Sequence, residues 1–148
     1  MRCFRFLAFL TVAVLSFSCT PKLDVAVRAM TPETNKLGSE FEIFVDILNN
    51  TSERQLFNHL NIEESYLEGI EILGSVPGYY ERYAVDIDNT INFSYDLQID
   101  AGETFTVILY CKAVKTGQYD GNITAFFNNA FAHTSTPIST EITPVNET

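Results

Sequence analysis

Few side chains in this 148-residue sequence have the chemistry of a catalytic or metal site. The only histidines are His59 and His133, and neither has a cysteine or a second histidine at metal-ligand spacing. Serines are frequent, but none lies in a nucleophile-elbow motif. These observations predict a non-enzymatic protein with no cofactor and no resident metal.

Cys19 has the most distinctive surroundings of any residue in the chain. Residues 1–18 carry Arg2 and Arg5, no acidic residue, and the apolar run FRFLAFLTVAVLSF. The run is shorter than the roughly 20 residues that a membrane-spanning helix needs. A basic start, a short apolar stretch and a serine before the cysteine are typical of a signal peptide. We therefore expect residues 1–18 to direct export and to be removed.

The same segment resembles a bacterial lipoprotein signal peptide. In that class the cysteine after the cut receives a diacylglycerol on its sulfur and becomes the mature N-terminus. Ser18 fits the small position of the recognition box, and Ser16 stands where an aliphatic residue is usual. The resemblance implies a lipid anchor at Cys19 and a short tether over residues 19–22. Thr20, rather than aspartate, follows the cysteine, which favours the outer membrane of a bacterial envelope.

Two other uses of the cysteines stay open. Ordinary secretion without a lipid is one alternative, since Cys3 would still leave with the signal peptide. Cys111 would then be the only partner for Cys19, and a Cys19–Cys111 disulfide would become feasible. If Cys19 is lipidated, Cys111 stands alone and no disulfide framework exists.

The charge of the chain makes some partners unfavourable. The formal net charge is −10, and it becomes −12 without residues 1–18, which hold two of the nine basic residues and none of the nineteen acidic ones. A field of this sign repels phosphate backbones, so we expect no nucleic-acid binding. It also opposes electrostatic binding to anionic lipid.

Two groups of aromatic residues are candidates for a contact surface. The stretch PGYYERY concentrates Tyr79, Tyr80 and Tyr83, and exposed tyrosines make good contacts with proteins or sugars. The alternative is that some of these tyrosines pack on the domain. Phe126 takes an outward position on the last strong predicted strand. If that strand lies at a sheet edge, Phe126 could dock a partner strand.

Acidic and amide side chains crowd two predicted turns. Asp86, Asp88 and Asn89 share one turn, and Asp120 and Asn122 share the other. Oxygen ligands of this kind suit calcium, but the spacing of an EF-hand is absent. Asp and Asn are also ordinary turn residues, and we favour that role.

Short alternating strands separated by turn residues account for residues 23–133. At Phe41, Ile43, Val45 and Ile47 the apolar residues alternate with polar ones, which predicts a half-buried strand. A helix over 52–67 is an alternative to a strand over 55–62. The predicted strands are 23–30, 40–48, 55–62, 70–76, 80–86, 90–97, 104–114 and 119–130.

Seven or eight strands with regular turn signals predict an all-β, antiparallel β-sandwich after the signal peptide. By parity, Cys111 faces the core as an inert thiol. Residues 134–148, rich in Thr, Ser and Pro, are expected to form a loose tail outside the sandwich.

Three stretches carry a resemblance to the bacterial conserved-repeat domain, also called domain of unknown function eleven. LGSEFEIFVDILNNTS (37–52) resembles that family's strand and double-asparagine turn, and LEGIEILGS (67–75) resembles its Pro-x-Gly-Leu segment. IDAGETFTVILYCKAVKTGQYDGNITA (99–125) resembles its Gly-Glu turn, long strand and closing strand. The resemblance implies an immunoglobulin-like sandwich of the kind found on envelope proteins, and it brings no catalytic residues.

These inferences predict a non-enzymatic envelope protein, attached to the membrane at Cys19, that acts as a structural or protein-binding module. The alternative is a recognition domain for a carbohydrate or another partner, working through the loop from Tyr79 to Tyr83.

Overall fold

The computed structural model describes residues 23–128 and 132–145, which form ten strands and one short helix. In these ranges no helix is long and apolar enough to cross a membrane. The predicted signal peptide, Cys19 and its tether lie outside the described residues. The elements are β1 (Val25–Met30), β2 (Thr34–Lys36), β3 (Glu40–Asn49), β4 (Gln55–Glu63), α1 (Glu64–Leu67), β5 (Ile70–Val76), β6 (Glu81–Val85), β7 (Thr90–Ile99), β8 (Thr104–Ala113), β9 (Gly117–Phe127) and β10 (Ala132–Thr143).

Two sheets face each other. One has four strands in the order β1-β3-β8-β5, and the other has six in the order β2-β10-β9-β4-β7-β6. All strand pairs are antiparallel except the short pairing of β2 with β10. This architecture confirms the predicted all-β sandwich.

The core follows the alternation in the sequence. On β3, the residues Phe41, Ile43, Val45 and Ile47 are all buried, as predicted. The six-stranded sheet contributes larger side chains from β4, β7 and β9. Phe57 lies at the centre of these, with its ring 5.3 Å from that of Tyr95 and 5.9 Å from that of Phe127. Burying apolar surface on both inner faces is the main stabilisation available to this fold.

The strand predicted over 55–62 is β4, and helical geometry is confined to the four residues of α1. The number of strands, however, is ten rather than seven or eight. One addition is β2, which lies between the predicted strands 23–30 and 40–48. It is held by hydrogen bonds from Leu37 N to Thr143 O (2.8 Å) and from Glu141 N to Glu33 O (2.8 Å).

The other addition is β10, and the prediction of a loose tail from residue 134 was wrong. Ile138, Thr140 and Ile142 alternate into the core, and β10 pairs with β9 along eleven positions. Pro137 is tolerated because β2 pairs only with residues 141–143, so that β10 is an edge strand at the proline. The sandwich therefore extends to Thr143.

A buried hydroxyl chain fixes β10 to the rest of the domain. The Tyr66 hydroxyl of α1 lies 2.9 Å from Thr140 Oγ1, which lies 3.3 Å from Thr31 Oγ1. Burial raises the pKa of Tyr66 to about 12, so the hydroxyl stays neutral. The chain connects three segments that are far apart in sequence.

Candidate binding surfaces

The cysteine predicted to face the core does so. Cys111 is free and fully buried, and its Sγ lies 3.6 Å from Leu109 O. Burial raises the pKa of this thiol to about 12, which suppresses the reactive thiolate.

The three tyrosines near residue 80 do not form one surface. The Tyr79 ring is half-buried and packs edge-on against Phe93 (5.1 Å) and Tyr95 (6.4 Å). Tyr80 is 64% exposed, and Tyr83 is exposed on the edge strand β6. The Tyr79 ring packs against the core and therefore does not contribute to the predicted contact surface.

Tyr80 belongs to a polar cluster on the outer face of the six-stranded sheet. Its hydroxyl donates to Asp96 Oδ2 (2.6 Å), and Asn58 Nδ2 donates to Asp96 Oδ1 (3.0 Å). These two hydrogen bonds lower the pKa of Asp96. An irregularity between Phe57 and His59 shifts the register of β4, so that Asn58 and His59 lie beside Asp96. Bulges commonly redirect side chains in this way.

Phe126 points outward, but the condition for docking a partner strand, a position at a sheet edge, is not met. Its strand, β9, lies between β10 and β4. The Phe126 ring lies 4.5 Å from the ring of His59 and 5.3 Å from that of His133. Burial lowers the pKa of His59. Because β9 pairs with β10 on one side and with β4 on the other, Phe126 has no free backbone edge to offer a partner strand, and its partly exposed ring lies between the two histidines.

Several polar groups on this outer face bond to one another. Asn92 Nδ2 donates to Asn61 Oδ1 and Ser94 Oγ donates to Asn92 Oδ1, both at 2.9 Å. Thr124 and Ser135 share a hydrogen bond of 2.7 Å. The outer face of the six-stranded sheet is thus largely polar, as expected of an antiparallel sheet, although Phe126 and Tyr83 also lie on it.

One of the two predicted acidic turns is part of a strand instead. Asp120 and Asn122 lie on β9 rather than in a turn. Asp120 accepts hydrogen bonds from Ser139 and Gln118, which lower its pKa. Over residues 23–128 and 132–145, no three His, Cys, Asp or Glu side chains gather as a metal site would require.

The outer face of the four-stranded sheet, unlike that of the six-stranded sheet, carries a line of apolar side chains. Met30 pairs with Phe44, Phe44 pairs with Ile108, and Ile108 pairs with Val76. These four residues, hereafter the apolar row, cross every strand of the sheet in one line. Met30 is 36% exposed and Val76 is 52% exposed, and Phe44 and Ile108 are partly exposed.

The sequence contained a signal for this row that the strand prediction did not use. Phe44 stands between Glu42 and Asp46 on the face predicted to be polar, and Ile108 occupies the outward face of β8. The parity of each strand places these residues outside. Only the register between the strands places them in one line.

An open groove of about 730 Å³ adjoins the apolar row. Its apolar lining includes Met30, Phe44, Leu73 and Tyr110, and its acidic residues are Glu40 and Glu42. Leu73 reaches the groove from a register irregularity in β5, between Ile72 and Gly74. Leu73 is 47% exposed and Tyr110 is 38% exposed.

No family model matches the chain, and no curated protein sequence matches it. Solved structures share its fold at low identity. The chain is 17% identical to E. coli alpha-2-macroglobulin, with a TM-score of 0.54, and 81% of it aligns with only 7% of that protein. It is 11% identical to the CARDB domain of a Pyrococcus furiosus protein solved with two metal ions, with a TM-score of 0.54, covering 81% of this chain and 88% of that one.

A cohesin module from a Clostridium perfringens family 33 glycoside hydrolase gives a similar result. Its identity is 10% and its TM-score is 0.53, over 82% of this chain and 96% of that one. At these identities the likeness concerns the fold alone. The chain is an immunoglobulin-like β-sandwich.

Proposed function

We propose that this protein is a non-enzymatic, lipid-anchored module of a bacterial envelope that binds another protein through the outer face of its four-stranded sheet. The observation that carries the proposal is the apolar row. One face of a solvated antiparallel sheet is ordinarily polar, as the six-stranded sheet illustrates. Exposed contiguous apolar side chains favour a protein interface.

The chemistry of the row favours a protein over a sugar as the ligand. Met30, Phe44, Ile108 and Val76 offer no hydrogen-bonding side-chain groups except the weakly accepting methionine sulfur. A sugar would lose hydrogen bonds to water without replacing them here. An apolar protein surface would gain free energy from the same burial.

A lipid at Cys19 would orient the domain so that this surface faces away from the membrane. The tether leads into β1, whose strand from Val25 to Met30 spans roughly 17 Å. The groove adjoins the Met30 end of β1. It would therefore lie on the side of the domain away from the membrane, where a partner can reach it.

The anchor is tested by the mass of the N-terminal peptide from membrane fractions of the wild type and of Cys19→Ser. We expect a diacylated or triacylated Cys19, and we expect the variant to lose membrane retention. An unmodified Cys19, or one disulfide-bonded to Cys111, would contradict the anchor.

The binding surface is tested by a photo-crosslinking amino acid placed at Leu73 in the native envelope, with Ile87 as the control site. Ile87 is 89% exposed in the β6–β7 turn, far from the row in the sheet order. We expect a discrete protein adduct from position 73 that Val76→Asp suppresses and Ile87→Asp does not. No adduct at position 73, or an equal adduct at position 87, would contradict the proposed binding surface.

One specific observation supports the alternative function, carbohydrate recognition. Tyr80 is exposed and bonded to Asp96, and a carboxylate beside an exposed ring can accept hydrogen bonds from sugar hydroxyls. Glycan-array binding that Tyr80→Ala abolishes, with folding intact, would support this function. Binding unchanged in that variant would exclude this site.

A further inference from the structure

The groove beside the apolar row has a shape that suits an extended chain. It is open along the sheet surface and has a volume of about 730 Å³, which is room for a few bulky side chains. Leu73 and Tyr110 line it together with Met30 and Phe44. An apolar segment that fills it would remove these partly exposed side chains from water.

The charged residues that line the groove are both acidic. Glu40 and Glu42 line it and are exposed. Within residues 23–128 and 132–145, neither carboxylate forms an ion pair within 4 Å. The nearest cation by register, Lys112, pairs across the sheet with Glu40 on one side and Glu71 on the other. Its charge is thus offset by two carboxylates.

We propose that the groove binds an extended segment of a partner protein in which bulky apolar residues stand next to lysine or arginine. This inference rests on the proposed function and adds the chemistry of the partner. The apolar residues occupy the space between Leu73 and Phe44, and the cation lies against Glu40 and Glu42. The overall negative charge of the chain also attracts such a segment over longer distances.

A second copy of this chain is a poorer occupant. Its own matching surface carries the same acidic residues, and two strongly negative domains repel each other when they approach. Partner selection by sign of charge is a common source of specificity.

The test is a random peptide library displayed on phage and selected against the full-length protein in detergent micelles. We expect a consensus of bulky apolar residues with Lys or Arg close by. A synthetic consensus peptide should bind about tenfold more weakly to Glu40→Gln/Glu42→Gln and to Leu73→Ser. Its affinity for the wild type should fall as salt is added.

The matched control is Glu53→Gln/Glu141→Gln, which makes the same change in net charge at two exposed sites outside the groove. It should retain nearly the wild-type affinity. An equal loss in the control would mean that the overall field, not the groove, attracts the peptide, and would overturn the inference.

The remaining outcomes separate this inference from the proposed function. An apolar consensus that loses affinity with Leu73→Ser but not with the glutamine variant overturns the basic component and leaves protein binding in place. No consensus, or binding that neither variant affects, overturns the inference, and the crosslinking result then decides the proposed function. A dimer in sedimentation that Leu73→Ser dissociates would assign the surface to a second copy and overturn the partner named here.

Discussion

At the scale of single residues, the Asn49 side chain connects the loops at one end of the sandwich by hydrogen bonds. It is fully buried, and its Nδ2 lies 2.8 Å from Glu53 O, 3.1 Å from Ile99 O and 3.1 Å from Asp100 O. Its Oδ1 accepts hydrogen bonds from the backbone and hydroxyl of Thr51. The asparagine singled out in the double-asparagine turn thus has a structural role.

We predict that Asn49→Ala lowers the free energy of unfolding by about 2 kcal/mol or more, because it leaves buried carbonyls without a donor. Asn50→Ala is the matched control, since Asn50 is exposed and makes one long hydrogen bond (3.4 Å) to Asp24. The control should change stability by about 0.5 kcal/mol or less. Urea unfolding of both variants measures the difference, and equal losses would contradict this role.

The Cys111 thiol provides a second prediction at this scale. Because burial raises its pKa to about 12, iodoacetamide at about pH 8 should alkylate Cys111 at least about 100-fold more slowly in the folded protein than in urea. The peptide containing Cys111 is followed by mass spectrometry in the whole chain. Equal rates in both conditions would show that the strand opens or that the thiol faces solvent.

At the scale of elements, β9 joins β10 and β4, and Tyr119 near its start packs against Gly69, the residue before β5. The Tyr119 hydroxyl donates to Thr116 O (3.1 Å), which holds the ring over Gly69. A Cβ on Gly69 would lie 2.0 Å from Tyr119 Cε2. The glycine is required for this close approach rather than for an unusual backbone angle.

We predict that Gly69→Ala costs about 1–3 kcal/mol of stability by forcing the Tyr119 ring away. Gly74→Ala, in the strand that follows Gly69, is the control, since a Cβ there meets nothing within 4 Å. It should change stability by about 0.5 kcal/mol or less. Thermal unfolding of the pair checks this, and a neutral Gly69→Ala would mean that the ring moves freely.

The faces of the strands could be predicted from the sequence, but the neighbours of the strands could not. Alternation correctly assigned the inward faces of β3 and β8, including Cys111, because side-chain parity is a local property. The same reasoning could not decide whether the strand of Phe126 lies at an edge. Strand neighbours depend on contacts between distant segments, and nothing local indicated that β10 would cover that side of β9.

At the scale of the whole molecule, β10 completes the six-stranded sheet and contacts β1 across the sandwich. Thr134 Oγ1 donates to Val25 O (3.1 Å), and Ile138 and Ile142 enter the core. The first and last strands therefore meet, and folding must bring them together before the core is complete.

We predict that a chain ending at His133 loses cooperative unfolding, because it removes β10 and exposes the side of β9 that pairs with it. A chain ending at Thr143 is the control and should unfold as the full chain does. Circular dichroism during a urea titration distinguishes the two. A cooperative transition in the shorter chain would show that the domain is complete without β10.

The sequence by itself determined the β class of the protein, most of its strands and the side chains that face the core, since all of these follow from a two-residue period and local turn chemistry. It also carries the pattern at Cys19 from which the anchor is inferred. The tertiary structure decided which strands are neighbours, and so it decided that β10 belongs to the sandwich and that Phe126 lies between two histidines on the neighbouring strands. The apolar row exists only through register. Its members lie on four strands that are separated along the chain, and the long-range backbone pairing of those strands brings them into one line.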